Sequence, residues 1–184
     1  MTESYMNAFE FAVLALTFLF CLSVVWGSFR AGITPVPSSR KARRIMLEQA
    51  ELAPDGTMIE LGSGWGHLAL SLARRFPQRK VIGYELSVLP WLTSLILKQL
   101  LGVHNLTLYR NNFLDQKLPD ATLAVCYLYP EGMNKLAAKL RQENPQIDVL
   151  LSNTFALPGT EPEQIIRIDD LYRSPIYIYR LKKG

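Results

Sequence analysis

The stretch that decides the fold reads Met58-Ile59-Glu60-Leu61-Gly62-Ser63-Gly64-Trp65-Gly66. Its first residues are typical of a short buried strand, and its three alternating glycines predict a tight turn before an amphipathic helix that begins near His67. Because glycine has no Cβ, such a turn lets the backbone lie directly against a ligand. The helix that follows would point free N–H groups and a positive dipole end at that ligand.

A second predicted strand, at residues 80–85, ends in an acid, Glu85. A carboxylate at the end of the second strand of such a fold can accept hydrogen bonds from both hydroxyls of a ribose. The glycine loop and this acid together predict a site for a small molecule that contains adenosine. A glycine turn that only joins two elements, with no ligand, is the alternative.

The spacing of the loop separates two adenosine cofactors. A dinucleotide fold carries G-x-G-x-x-G directly after its first strand. Counted from Gly62, that pattern ends at His67; counted from Gly64, it ends at Ala69 and leaves an insertion of two residues before it. The pattern E-x-G-x-G-x-G from Glu60 needs no insertion and is the signature of S-adenosylmethionine (AdoMet) binding in Rossmann-like methyltransferases. Glu60 would also attract the ammonium group of AdoMet and repel the pyrophosphate of NAD, so we expect AdoMet.

Composition bounds the other possibilities. The chain has 184 residues, a hydrophobic content of 49% and a formal net charge of +4, which suits one domain with an appendage. Cys21 and Cys126 lie far apart and form no disulfide framework. With only His67 and His104 as histidines, we predict no metal site. The aromatic residues do not alternate with the basic ones as stacking platforms would, so we expect no nucleic-acid partner.

The N-terminal segment from Ala8 to Trp26 is almost wholly apolar. As a helix it would extend roughly 28 Å, close to the hydrocarbon thickness of a bilayer. It predicts one transmembrane helix in an N-terminal membrane anchor, residues 1–30, before a catalytic domain, residues 31–184. A cleaved signal peptide is the first alternative, but the start lacks Lys and Arg and the end lacks a small-x-small site. A buried core helix is the second, and the missing polar periodicity disfavours it.

Charge predicts the orientation of this anchor. Only Glu3 is charged before Ala8, whereas the basic residues that follow the segment are Arg30, Arg40, Lys41, Arg43 and Arg44. Positive residues stay on the cytoplasmic side, so we expect the catalytic domain there. This would be the inner face of a bacterial inner membrane or the matrix side of a mitochondrial inner membrane. The same cluster would attract anionic lipid headgroups, which makes the bilayer an expected partner.

Beyond the proline-rich linker the chain alternates strands and helices. The first predicted helix is capped by Ser38 or Ser39 and runs to about residue 50. The other predicted helices are 67–76, 90–101 and 132–144, and the predicted strands are 57–61, 80–85, 106–110, 123–128, 147–152, 164–169 and 176–181. Alternation implies a parallel sheet with helices on both faces. The last two strands are joined by only residues 170–175, too few for a parallel crossover, so they should be antiparallel. The predicted fold is α/β, a Rossmann-like seven-stranded methyltransferase sheet with an antiparallel last strand, preceded by the transmembrane helix.

Ligands of open α/β sheets bind beyond the carboxyl ends of the strands. The residues expected to bind the cofactor are therefore Glu60, Gly62, Ser63, Gly64, Gly66, Glu85, Leu86, Asn112 and Phe113. In this set the amide of Asn112 would bond the edge of the adenine and Phe113 would pack on its face. An ordinary turn asparagine is the alternative for Asn112.

Several motifs together resemble a known family. They are the apolar N-terminal segment, Thr34-Pro35-Val36-Pro37-Ser38, Leu61-Gly62-Ser63-Gly64 with Gly66, Gly83-Tyr84-Glu85-Leu86 followed by Pro90-Trp91-Leu92, and Pro130 after the fourth strand. From about Phe9 to Leu181 the chain resembles the membrane-anchored lysine methyltransferases related to the enzyme that modifies the c subunit of mitochondrial ATP synthase, prokaryotic relatives included. It departs from them at Trp65 and His67, where Asp and Arg are usual, and at Asn112, where an acid is usual.

The resemblance implies a class I AdoMet-dependent methyltransferase that methylates a lysine amine of a membrane protein. Tyr129, just after the fourth strand, is the catalytic candidate: its hydroxyl or its backbone carbonyl would orient the amine. An ordinary aromatic residue at a strand end is the alternative. Methylation of a lipid or a quinone at the membrane is a second possible activity, and a non-catalytic AdoMet-binding sensor or assembly factor is a possibility of another class.

Overall fold

The structure is a computed structural model that describes residues 7–18 and 38–181. Helix α1 covers residues 8–18, up to the end of the first described range. The later helices are α2 (Arg40–Glu51), α3 (His67–Arg75), α4 (Val88–Leu100) and α5 (Pro130–Glu143), with a short 3-10 helix at Phe113–Asp115. The strands are β1 (Met58–Leu61), β2 (Val81–Tyr84), β3 (Leu106–Tyr109), β4 (Ala121–Cys126), β5 (Ile147–Asn153), β6 (Gln164–Arg167) and β7 (Pro175–Arg180).

The seven strands form one sheet in the order β3-β2-β1-β4-β5-β7-β6. Strands β1 to β5 pair in parallel, and β7 pairs antiparallel with both β5 and β6. This arrangement confirms the predicted seven-stranded sheet and the antiparallel pairing of its last two strands. The order reverses beside β1, because β1 lies between β2 and β4, so the switch point of the sheet lies at the carboxyl end of β1.

Element boundaries agree with the predicted ones to within a few residues, and the differences have local causes. Helices α4 and α5 each begin two residues earlier than predicted, with Pro90 in the first turn of α4 and Pro130 at the first position of α5. The first turn of a helix has N–H groups without intrahelical partners, so a proline fits there without losing a bond. Strand β4 ends at Cys126, which leaves Tyr127–Tyr129 as the connection to α5.

The helices cover the two faces of the sheet unequally. Helices α2, α3 and α4 pack on one face, over a core that includes Met58, Val81 and Leu123. The other face is covered mainly by α5 and the 3-10 helix, over alternate strand residues such as Ile59 and Leu61. Because side chains alternate along a strand, β1 supplies both cores from successive residues. At their carboxyl ends β1 and β2 lead into the glycine loop and Glu85.

The predicted transmembrane helix is not found in the part of the chain that the structure describes. Across residues 7–18 and 38–181, no helix has both the length and the hydropathy needed to cross a bilayer. The predicted segment continues beyond α1 into residues 19–26, which lie outside the described residues, as do Arg30 and the proline linker up to residue 37. The rest of the basic cluster forms the exposed or half-buried start of α2.

Candidate active site

The glycine loop after β1 has a backbone that only glycine adopts easily. Gly62, Gly64 and Gly66 have φ values of 80°, 51° and 76°, in the left-handed region. At Gly66 a side chain is also excluded by space, since a Cβ there would lie 2.5 Å from the Oγ of Ser94 on α4. The loop is therefore pressed against α4, and its backbone faces the end of the sheet.

Hydrogen bonds from β2 and α4 fix this loop. The N–H groups of Gly62 and Ser63 donate to the carbonyl oxygen of Tyr84 at 3.0 and 2.8 Å. The wholly buried Ser94 shares its single hydroxyl proton between the carbonyl oxygens of Pro90, at 2.8 Å, and Gly64, at 3.2 Å. The loop is thus held in place by β2 and α4, before any ligand is bound.

Glu85, the predicted ribose acid, lies at the carboxyl end of β2 and is buried. One carboxylate oxygen accepts the N–H of Gly64 at 2.8 Å, and the other accepts the N–H of Ser87 at 2.7 Å. An ionised carboxylate has about four acceptor positions, so two bonds leave room for ribose hydroxyls. The side chain therefore braces the loop and keeps the capacity that the sequence predicted for it.

Glu60 lies on β1, one residue before the strand ends, and its side chain is buried. Burial raises the pKa of this carboxyl well above its ordinary value; a hydrogen bond from the N–H of Ala69 opposes the shift, and repulsion from the Glu85 carboxylate adds to it. The N–H of Ala69 belongs to the first turn of α3, where backbone donors have no intrahelical partner. Glu60 thus caps α3 from inside the site.

Three buried polar atoms lack a hydrogen-bond partner among the residues that the structure describes: Glu60 Oε2, Ser63 Oγ and Ser87 Oγ. They lie at the end of β1, in the glycine loop and at the N-cap of α4. A buried polar group without a partner costs about 1–3 kcal/mol, so it is retained where a ligand can supply the partner. The acceptors and hydroxyls suit a ligand with an ammonium group and ribose hydroxyls, and AdoMet carries both.

The residues predicted to contact adenine follow β2 and β3, which are neighbours in the sheet. Leu86 exposes 38% of its surface directly after Glu85. Asn112 bonds within its own turn: its Oδ1 accepts the N–H of Leu114 at 3.1 Å, and its Nδ2 donates to Asp115 at 3.0 Å. Phe113 is a buried core residue. The adenine contacts stay a prediction, and the local bonds show that Asn112 also has the structural role of a turn asparagine.

Tyr129 lies where β4 leads into α5, at the N-cap of that helix. Its backbone carbonyl accepts the N–H of Met133 at 2.9 Å, so the hydroxyl is the freer of the two groups predicted to orient an amine. Gly132 leaves room for the ring, since a Cβ there would lie 3.3 Å from Tyr129 Cε1. The neighbouring Glu131 is exposed and pairs with Lys135 at 2.6 Å.

Two further polar residues that the sequence did not indicate belong to this edge. Ser94 supports the glycine loop, but it lies inside an apolar helix and no motif indicates it. Asn153, at the carboxyl end of β5, is buried and donates to the Oγ of Ser38 at 3.4 Å. Ser38 ends the proline-rich motif, so the chain enters the domain at the edge that carries the glycine loop.

A sheet of this order, with a glycine loop after β1 and an acid at the end of β2, defines a class I AdoMet-dependent methyltransferase, and AdoMet is its methyl donor. An RNA methyltransferase from Salinibacter ruber, solved with S-adenosyl-L-homocysteine, shares the fold with a TM-score of 0.68 at 20% identity. The similarity covers 81% of this chain and 95% of that one. Residues 60–164 match the ANTKMT methyltransferase domain, and the chain belongs to that family.

Two curated relatives are similar in sequence. A protein-lysine N-methyltransferase from Saccharolobus islandicus is 26% identical over 146 residues, which cover 78% of this chain and 91% of that protein. A probable ribosomal RNA small subunit methyltransferase A from Methanosarcina mazei is 30% identical over 129 residues. That alignment covers 67% of this chain and only 46% of the second relative.

Proposed function

We propose that this enzyme is a protein-lysine N-methyltransferase whose acceptor is a membrane protein. The observation that carries the lysine acceptor is the similarity to the Saccharolobus islandicus protein-lysine N-methyltransferase, which extends over 91% of that protein. The position of Tyr129 beside the carboxyl end of β4 supports it, because a hydroxyl there can accept a hydrogen bond from an incoming amine.

The main task of the protein in this reaction is to align the lysine amine with the methyl group of the donor. When bound, AdoMet would supply an activated methyl group, whose carbon–sulfur bond would break as the bond to the neutral lysine nitrogen forms. The glycine loop, Glu60 and Glu85 would hold the donor, and the hydroxyl of Tyr129 would direct the lone pair of the amine. Holding two reactants in line contributes several kcal/mol to such a transfer. The lysine must lose its proton first, and a partly desolvated site favours this by lowering the pKa of the amine.

The membrane location rests on the sequence and on the direction of the chain. The apolar segment from Ala8 to Trp26 is followed by basic residues, and the domain begins at Ser38, beside the carboxyl end of β5. A membrane helix in that segment would therefore hold the site within the length of a short linker from the bilayer. We expect the catalytic domain on the cytoplasmic or matrix side, where the positive residues would stay.

The test is methylation of isolated membranes by the purified full chain with methyl-labelled AdoMet. The proposal expects label in protein that survives mild alkali and is recovered as methyllysine. Label in the organic extract would instead identify a lipid or a quinone as the acceptor, and label in RNA would identify a nucleic acid. AdoMet binding without transfer to any fraction would leave a sensor or assembly factor.

Glu85→Gln is the negative control for this assay. An amide in place of the carboxylate puts an N–H donor against the N–H of Gly64 or Ser87, so the affinity for AdoMet should fall at least about tenfold. Glu163→Gln is the matched variant, because Glu163 is exposed and pairs with Arg180 on the surface. Unchanged affinity in Glu85→Gln, measured by calorimetry, would remove Glu85 from the cofactor site.

A further inference from the structure

Helix α4 carries a row of exposed apolar side chains, here named the α4 stripe: Val88, Leu92, Ile96 and Leu100. Their exposed fractions are 47%, 44%, 52% and 77%. Residues four apart lie on the same side of a helix, so the four side chains form one continuous row about 18 Å long.

The opposite side of α4 already packs on the sheet. Pro90 and Ser94 are buried, and Trp91, Leu95 and Leu97 pack against the core of that face. A helix on the surface of a globular protein normally turns polar residues toward water on the side that does not face the core. In α4 both sides are apolar, so the α4 stripe needs a second apolar environment.

The charges of the segment that contains the α4 stripe indicate which environment this is. From Leu86 to Leu114 the sequence contains no Asp or Glu, whereas Lys98 on α4 and Arg110 after β3 are cationic. An apolar row beside cations, without acids, is the composition of a helix that lies in the interface of an anionic membrane.

We propose that the α4 stripe lies in the interfacial layer of an anionic bilayer, with Lys98 and Arg110 at the lipid headgroups. The proposal deepens the membrane location proposed above and rests on it. A second copy of the chain is a poorer occupant. A symmetric contact would place the same patch on both partners, so Lys98 and Arg110 of one copy would meet a segment that carries cations and no acid of its own.

This placement connects the membrane to the cofactor site. The α4 stripe begins at Val88, three residues after Glu85. Docking would hold the carboxyl end of β2, and with it the ribose side of the site, beside the headgroups. The edge that receives the acceptor would then be fixed relative to the bilayer by α4 as well as by the chain that enters at Ser38.

The test compares two isoleucines of similar exposure: Ile96 on α4, which packs near edge strand β3, and Ile165 on the opposite edge strand, β6. In a Cys21→Ser chain, Ile96→Cys and Ile165→Cys are each labelled with an environment-sensitive fluorophore. Ile165, on edge strand β6, is 47% exposed. Burial raises the pKa of the Cys126 thiol to about 12, so this native cysteine does not compete for the label. The full chain is reconstituted in nanodiscs of phosphatidylcholine with or without phosphatidylglycerol, and spin-labelled lipids serve as quenchers.

We expect the label at position 96 to shift to shorter wavelength and to be quenched in discs with phosphatidylglycerol, and the label at position 165 to do neither. In the same discs Lys98→Gln should lower the docking equilibrium constant about fivefold, which corresponds to about 1 kcal/mol for one cation near an anionic surface. Equal quenching at both positions would overturn the proposal, as would self-quenching between labels at position 96 without any quenching by lipid.

The two proposals can fail separately. Quenching at position 96 without methyllysine in treated membranes would keep the α4 surface and remove the lysine acceptor. Methyllysine without quenching at position 96 would keep the lysine acceptor and remove the α4 surface. Each preparation is checked for AdoMet binding by calorimetry, so a misfolded chain is recognised in either case.

Discussion

At the scale of single residues, the two oxygens of the Glu60 carboxylate have different surroundings. It accepts the N–H of Ala69 in the first turn of α3, and its second oxygen has no partner among the described residues. Its pKa is raised chiefly by burial, and the nearby Glu85 carboxylate adds to the shift. A cationic ligand group would relieve both the burial cost and the repulsion. Glu60 therefore lowers the stability of the protein without ligand at high pH, and its role as the partner of an ammonium group stays a prediction.

This predicts a pH dependence of the unfolding free energy. Because the pKa of Glu60 is higher in the folded state than in the unfolded state, its contribution is fully present below the unfolded pKa. The contribution is lost as the pH rises through the raised folded pKa. Without cofactor, Glu60→Gln should therefore show a smaller loss of stability with rising pH than the parent chain does, measured by urea unfolding across a pH series. In the control variant Glu163→Gln, the unfolding free energy should change with pH as it does in the parent chain. The same pH dependence in Glu60→Gln as in the parent would contradict the role given to Glu60.

Tyr129 is expected to act on the rate of transfer. Tyr129→Phe removes the hydroxyl and keeps the ring beside Gly132, so the affinity for AdoMet should stay unchanged. The turnover number should fall about tenfold to hundredfold, because the amine loses the group that aligns it. Initial rates at saturating AdoMet measure this. Tyr172→Phe is the matched variant, since Tyr172 is 85% exposed on the turn between β6 and β7. If both variants turn over like the parent, Tyr129 has only a packing role.

The sequence predicted the positions of some residues better than others. The glycines, Glu60 and Glu85 could be located because their spacing fixes where the first two strands end, and a bond joins Gly64 to Glu85. The bonds of Asn112 within its own turn were not decided by sequence, because the same amide suits a turn and a ligand. Ser94 was not identifiable, since its contact with Gly64 spans 30 residues and depends on how α4 packs.

At the scale of elements, the glycine loop and α4 form one unit. Gly66→Ala would add a methyl group 2.5 Å from the Ser94 hydroxyl, in a backbone with a φ of 76°. Gly102→Ala is the matched control, because Gly102 has a φ of 60° with nothing within 4 Å of the added Cβ. The control should lose about 1–2 kcal/mol of unfolding free energy from the left-handed backbone alone.

Gly66→Ala should lose a further 1–3 kcal/mol or so from overpacking, and its affinity for AdoMet should fall because the loop moves. Chemical denaturation and calorimetry measure the two effects. Equal losses in the two variants would show that the loop can move away from α4 at little cost.

Strands and helices themselves were largely predictable, because the periodicity of apolar residues changes between the two types of element. The starts of α4 and α5 were predicted two residues too late. Pro90 was taken as the first residue of α4, and Pro130 was taken to lie before α5. The antiparallel pairing of β6 and β7 followed from the short connection between them. The order of the strands depends on contacts between residues that are distant in sequence, so the pattern of strands and helices alone did not predict it.

At the scale of the whole molecule, the two edges of the sheet have different tasks. The edge formed by the carboxyl ends of the parallel strands carries the polar site. At the opposite edge, formed by their amino ends, Arg79 links several elements by hydrogen bonds. Its guanidinium donates to the carbonyl oxygens of Ala50, Pro54 and Gly56 and to the hydroxyl of Thr122. These bonds join the end of α2, the turn before β1 and the start of β4, far from the glycine loop.

Arg79→Met should therefore lower stability and spare the cofactor site. We expect a loss of roughly 3 kcal/mol in unfolding free energy, since several buried carbonyl groups lose a charged donor. The affinity for AdoMet, measured where the variant is still folded, should match that of the parent. Lys80→Met is the control, because it removes a neighbouring but exposed cation. A weaker affinity for AdoMet in Arg79→Met would mean that the two edges are coupled.

The position of β7 has a consequence for how the chain is made. Strand β6 precedes β7 in the sequence, but its neighbour in the sheet is β7 alone. During translation, residues 164–167 leave the ribosome before any strand exists that can receive them. They remain unpaired until Pro175–Arg180 has emerged and inserted beside β5. In a nascent polypeptide arrested before Pro175, β7 would be missing and β6 would have no strand to pair with. The parallel pairs among β1 to β5 could still form.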